Sequence, residues 1–203
     1  MVGNQGKTTR NFAFRFDADD HAYVSIETGE IYPHITGLLK SAGLVDSRWY
    51  TDESRDRGHY VHTLTAQYDL GAIEREDLLR VDSPYKGWLA AHCEAMSVIG
   101  PKWQSIEEPI VHAQYRFGGR PDRVGKVYGA TAVVEIKSGD PEPAHCIQLA
   151  LQCILVAPEV GLPPETIPRY GLYLKRTGKW VLQSFPDTRK DFAKARDILK
   201  RFC

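Results

Sequence analysis

The sequence predicts an α/β fold, a small central mixed β-sheet flanked by helices, and three observations predict it. Strand-like runs at 110–117, 123–128 and 130–137 are followed by a helix-length apolar stretch, 144-AHCIQLALQCILV-156, and then by a second hairpin pattern, 169-RYGLYLKRTGKWVLQSF-185. Ahead of the strands, Val61, Leu64, Thr65 and Tyr68 recur at helical spacing. The chain has 203 residues, 42% of them hydrophobic, enough for one substantial core, and helices on either side of a small sheet are the simplest packing of these elements.

Taken in order, residues 1–11 are polar and expected to fray. Phe12, Phe14 and Phe16 alternate as in a strand, and 22-AYVSIETGEIYP-33 reads as a hairpin turning at Thr28-Gly29. The segment 35-ITGLLKSAGLV-45 is a short helix stopped near Gly43. After a charged connection from Asp52 to Asp56, a helix runs from Arg57 to Leu70 and ends at Gly71. Another starts at Ser83-Pro84, with Ser as cap and Pro in the first turn, and reaches about Ile99. Ile147, Ala150, Leu151 and Ile154 stripe the helix after the strands, and Pro158 and Pro163-Pro164 are expected to break it. The second hairpin turns at Thr177-Gly178, and a last helix starts near Asp187, which can cap it.

Charge is unevenly spread. Lys and Arg total 26, as do Asp and Glu, but residues 1–168 hold 16 bases against 23 acids and residues 169–203 hold 10 against 3. An acidic body with a basic end suits a carboxylate-rich metal site beside a phosphate-binding surface. No run approaches 18 apolar residues, so no membrane span is expected, and no apolar segment follows the basic start as in a secretory signal. Cys93, Cys146, Cys153 and Cys203 are scattered without a C-x-x-C pair, as expected of reduced thiols in a cytoplasmic protein.

The stretch 119-GRPDRVGKVYGATAVVEIKSGD-140 carries the chemistry. A turn at Tyr128-Gly129 pairs residues whose numbers sum to about 257, which sets Asp122 opposite Glu135. Glu135 and Lys137 share a face, while Val134 and Ile136 point to the other. Gly125 and Gly129 both permit bends, so the register stays open by a residue or two. Glu135 and Lys137 also fit the wet side of an edge strand, but 130-ATAVV-134 is apolar on both faces, as in a buried one. Facing buried carboxylates need a cation or a proton, and Asp and Glu oxygens with a backbone carbonyl suit Mg²⁺ or Mn²⁺. A lysine alongside suits metal-assisted phosphodiester hydrolysis.

Asp122, followed thirteen residues later by Glu135-Ile136-Lys137, resembles the PD-(D/E)xK nuclease superfamily, with Pro121-Asp122 supplying the "PD". Further motifs resemble its RecB-like and phage-type exonuclease branch: 33-PHIT-36 is similar to "PSVT", 58-GHYVH-62 to "GxxxH", 119-GRPD-122 to "GxxD", 135-EIKSG-139 to "DxKTG" and 148-QLALQ-152 to "QxxxY". Gln152 stands where that branch carries Tyr. The resemblance implies a restriction-endonuclease-like core over about 33–156 in one domain spanning 1–203. It also implies a Mg²⁺-dependent deoxyribonuclease acting on DNA with free ends, as an exonuclease of repair, recombination or phage DNA metabolism, alone, as a homo-oligomer or with a recombination partner. A DNA-binding protein without activity, or a nuclease acting on RNA, is the alternative. No iron–sulfur cluster is expected.

The resemblance also assigns roles. Asp122, Glu135, the Ile136 carbonyl and His62 would hold the metal. Lys137 would orient the attacking water, with Gln148 bracing its strand. Glu108 would supply a further carboxylate, with Glu107 a rival by one register. Arg57, Arg120, Arg123, Ser138, Gln152, Lys175 and Arg176 are candidates for DNA contact, and a solvated face is the plainer reading for several of them.

Overall fold

The computed structural model describes residues 13–17, 22–45, 51–80 and 83–203; the segment expected to fray, 1–11, and Phe12 lie outside them. In chain order, β1 (Phe14–Asp17), β2 (Ala22–Ser25) and β3 (Ile31–Tyr32) form a small antiparallel sheet. Helix α1 (Ile35–Ser41) follows and yields to Gly43, whose φ of +69° suits a residue without a Cβ. Helix α2 (Asp52–Asp69) takes in the expected charged connection. Thr51 caps it by accepting from the Ser54 N–H at 3.1 Å, and Asp52 and Glu53 favour its N-terminal dipole. An unforeseen short helix, α3 (Arg75–Arg80), precedes α4 (Lys86–Ile99).

The strand expected over 110–117 is two, β5 (Ile110–His112) and β6 (Phe117–Gly119), paired as a separate hairpin. Ahead of it lies β4 (Lys102–Ile106), missed in the sequence because KWQSI is an edge strand with no buried residue. Then come β7 (Arg123–Val127), β8 (Ala130–Lys137), helix α5 (Ala144–Val160), β9 (Arg169–Leu174), β10 (Trp180–Ser184) and α6 (Thr188–Phe202). The break expected at Pro158 does not occur. α5 is buried along most of its length, and that packing outweighs one lost hydrogen bond in a last turn that Gly161 then closes.

The central sheet has the order β10-β9-β8-β7-β4, with β8 and β9 parallel and every other pair antiparallel. A parallel pair needs a long crossover, and α5 supplies it. Val124 and Val133 pack against α1, α5 and α6 on one face. Ala132, Val134 and Ile136, with Leu172 and Leu174, pack against Val61 of α2 and Ala91, Ala95 and Ile99 of α4 on the other. The fold is therefore the predicted α/β class, a mixed sheet between helices. Among the described residues no helix is long and apolar enough to cross a membrane.

β7 and β8 pair Arg123 with Val134 and Val127 with Ala130, the register that continues to Asp122 opposite Glu135. The turn is made by Tyr128 (φ 50°) and Gly129 (φ 84°), two left-handed residues of the kind that join strands tightly. Gly125 does not bend this hairpin. A Cβ there would lie 2.3 Å from the Lys102 carbonyl oxygen, so it serves the close approach of β4.

Candidate metal centre and active site

A cleft of about 450 Å³ opens at the end of the sheet where β8 leaves it, lined by Tyr23, His34, Thr36, His59 and His62 around Glu107, Arg120, Asp122, Glu135 and Gln152. At its floor, His62 Nδ1 lies 3.3 Å from both Asp122 Oδ1 and Glu107 Oε1. One ligand atom from each of His62, Glu107 and Asp122 falls within 4.8 Å of the others, so these three could hold a metal ion. The other Asp122 oxygen accepts the Ile136 N–H at 2.6 Å, which fixes the carboxylate across the hairpin. Ile136 thus meets the site through its N–H.

The carboxylate here is Glu107, not Glu108. Glu107 has a φ of 53°, and its N–H donates to the Asp122 carbonyl at 3.0 Å. That left-handed residue ends the alternation of β4 and turns its side chain into the cleft. Glu108 is exposed and lines a separate hollow with Gln104 and Val156.

Glu135 stands outside the three-ligand cluster and is held from α5. It shares the face of Val133, and α5 covers that face. Glu135 Oε1 accepts from Gln148 Nε2 at 2.5 Å and from Lys137 Nζ at 3.0 Å, while Oε2 accepts from Gln152 Nε2 at 2.6 Å. Lys137 Nζ also donates to Gln148 Oε1 at 3.0 Å, so the ammonium is pinned between strand and helix. Gln152, a candidate for DNA contact, is only 3% exposed and braces Glu135 instead. Its Oε1 has no partner among the described residues.

Arg123 does not face nucleic acid either. It is wholly buried, and its Nε donates to Asp69 Oδ2 at 2.6 Å. Its NH1 donates to the Asp122 carbonyl at 2.7 Å, and its NH2 to Thr65 Oγ1 at 3.3 Å. Asp69 Oδ1 in turn lies 2.9 Å from His92 Nε2. This network backs the metal cluster and was missed in the sequence. The signal was there: His62, Thr65 and Asp69 are spaced by three and four residues, along one stripe of α2.

At the rim, Arg120 Nε pairs with Glu107 Oε2 at 3.1 Å, and its guanidinium lies 5.9 Å from the Phe16 ring centre. Arg57 donates to Ser138 Oγ at 3.3 Å. Lys175 pairs with Asp140 at 2.5 Å, and Arg176 sits exposed at the tip of the β9–β10 hairpin, its carbonyl pressed against Gly87 of α4. No residue of the basic segment 169–203 lines the cleft.

The electrostatics of the floor favour a cation. Burial by itself would push the His62 imidazolium down, but Asp122 and then Glu107 outweigh it and raise its pKa to about 10. Without metal, a proton therefore rests among the carboxylates at neutral pH. One nitrogen and two carboxylate donors form a set that fits a divalent ion such as Mn²⁺ or Mg²⁺. Because the pKa is raised, the proton is fully bound below the ordinary histidine range and is lost as pH rises through about 10. Mn²⁺ binding is accordingly expected to release about one proton per site at pH 7.5 and to tighten roughly tenfold per pH unit from 7 to 9. Calorimetry in buffers of different ionisation heats measures both; a buffer-independent heat would remove His62 from the ligand set.

No protein-family model matches the chain, and no curated protein sequence matches it. Among solved structures, the chain is similar to that of a proposed exonuclease from Eubacterium rectale, at 12% identity and a TM-score of 0.49 over 84% of this chain and 77% of that one.

Proposed function

We propose that this chain is a nuclease domain that hydrolyses phosphodiester bonds of DNA with a divalent cation, Mg²⁺ in the cell and Mn²⁺ as a substitute. The observation that carries the reading is the meeting of two carboxylates and an imidazole in one cleft, whose lining also includes Glu135, the partner of Lys137. Asp122, Glu107 and His62 would hold the ion, with Glu135 beside them. When bound, the ion supplies Lewis acidity, acidifying water and neutralising charge that develops on a phosphoryl oxygen. The protein's own groups do the rest. Lys137 presents a fixed ammonium to the attacking water or the phosphoryl oxygen, and Gln148 and Gln152 hold Glu135 so that the ammonium cannot drift. The Ile136 N–H keeps one Asp122 oxygen turned inward.

The proposal extends to one domain over 1–203, a cytoplasmic setting in a prokaryotic or phage-infected cell, and DNA ends as the favoured substrate. Purified protein with Mg²⁺ should degrade linear DNA, and parallel assays on single-stranded DNA, duplex DNA and RNA define the substrate. Glu107→Gln should slow the reaction by about a hundredfold or more, by loss of one charged donor at the ion. Glu108→Gln should leave it unchanged. Equal effects of the two substitutions would overturn the ligand set, and Mn²⁺ binding without cleavage of any of the three substrates would favour a DNA-binding role.

A further inference from the structure

Arg57 on α2 lies one residue before Gly58, the first α2 residue to line the cleft. Its guanidinium carbon sits 5.4 Å from the centre of the Trp88 ring, and its Nε donates to Ser138 Oγ. Trp88 Nε1 donates to the carbonyl of the same Ser138 at 3.0 Å. Tyr85 meets Trp88 edge-on at 6.1 Å, and Tyr60 stands 5.4 Å from Tyr85, so the indole is buttressed from behind. Two helices, α2 and α4, thus converge on the residue that follows Lys137.

Folding alone gives no reason for this arrangement. Arg57 is half-buried, yet it pairs with no carboxylate among the described residues, and its terminal nitrogens make no hydrogen bond there. Arg55, two residues earlier on α2, pairs with Asp52 instead. A partly desolvated guanidinium is costly unless an anion completes it. Stacking on Trp88 and the bond to Ser138 fix its plane, leaving the outer fork pre-oriented for the two oxygens of a phosphate. Lys137 and Ser138 are consecutive, so the guanidinium is bonded to the residue next to the lysine, beside the cleft that Gly58 lines.

We propose that Arg57, held by Trp88 and Ser138, binds the strand phosphate adjacent to the one being cleaved. The inference rests on the nuclease reading of the cleft and adds a substrate subsite to it. Trp88 and Ser138 act as positioning residues for the arginine.

The test uses the whole protein and fluorescein-labelled oligothymidylates, each carrying one uncharged methylphosphonate linkage at a different position. Binding is measured with Ca²⁺ in place of Mg²⁺ so that the strand stays uncut, and the cut position is mapped separately with Mg²⁺. In the wild type, the neutral linkage next to the cut position should weaken binding by about tenfold. Arg57→Ala should weaken the fully charged strand by about the same factor and lose its response to that linkage alone. Trp88→Phe, which keeps a ring but not the Ser138 bond, should fall between, with thermal melting of each variant matching the wild type. If Arg57→Ala binds within twofold of wild type, or still responds to the same linkage, the subsite is overturned. If millimolar inorganic phosphate displaces the strand while the linkage scan is flat, Arg57 holds a free phosphate and the proposal also fails. A wild type that binds and cuts no nucleic acid sinks the nuclease reading itself, which the subsite result then cannot rescue.

Discussion

Lys137→Ala should lower the rate of Mg²⁺-dependent DNA hydrolysis by about a thousandfold or more while leaving Mn²⁺ affinity within about twofold of wild type. The split follows from the geometry. Lys137 Nζ bonds Glu135 and Gln148, whereas the atoms that converge at the floor belong to His62, Glu107 and Asp122. Removing the amine leaves Glu135 held by both glutamines, so the fold around β8 has little reason to change. A charge fixed where a phosphoryl oxygen or its nucleophile gains negative charge acts in the transition state more than in the bound ground state. The loss should therefore sit in kcat rather than KM. Lys137→Arg, which keeps the charge with a different reach, should recover only a small part. An alanine variant that digests linear DNA at the wild-type rate would remove this lysine from the mechanism.

Arg123→Leu should cost about 3–5 kcal/mol of stability, since it strands a buried carboxylate. Asp69 is 2% exposed at its side chain and has two partners, Arg123 and His92, the latter wholly buried. With the guanidinium gone, the Asp122 carbonyl and the Thr65 hydroxyl lose donors in the same stroke. For a chain of this size that corresponds to a fall in melting temperature of roughly 6–20 °C. Adding Asp69→Leu removes the stranded charge, so the double variant should be more stable than the sum of the two single losses predicts. Activity should fall as well, because Asp122 leans on Arg123 through its backbone. An Arg123→Leu protein that melts within about a degree of wild type would show that the buried network contributes nothing net.

The two arguments separate what is legible in the chain from what is not. The hairpin 123–137 is legible because alternation and a two-residue turn are local: Val134 and Ile136 had to face away from Glu135 and Lys137, and the register of about 257 followed from Tyr128-Gly129. Gln148 and Gln152, four apart, had to share one helical face. Arg123 carried a readable signal too. It pairs with Val134, on the buried face, so a role in the core was available from the pattern alone.

Glu107 was not legible against Glu108, because the choice depends on a single left-handed residue that no alternation rule anticipates. Nor was the fate of Gln152. A glutamine on a helix can brace or be solvated, and only the crossover that lays α5 over Glu135 decides between them. The same holds for Trp88, an apolar helix residue in the sequence whose indole is placed against Arg57 by the crossing of α2 and α4.

By itself, the sequence determined the α/β class, the acidic hairpin with its facing Asp122 and Glu135, and the helix that carries His62. Tertiary structure alone decided which carboxylates join His62, which arginine is buried behind them, and which is held against Trp88 and Ser138. The reason is physical. Strand and helix periodicities act over a few bonds, whereas a charge becomes ligand, brace or surface group according to which distant element comes to cover it.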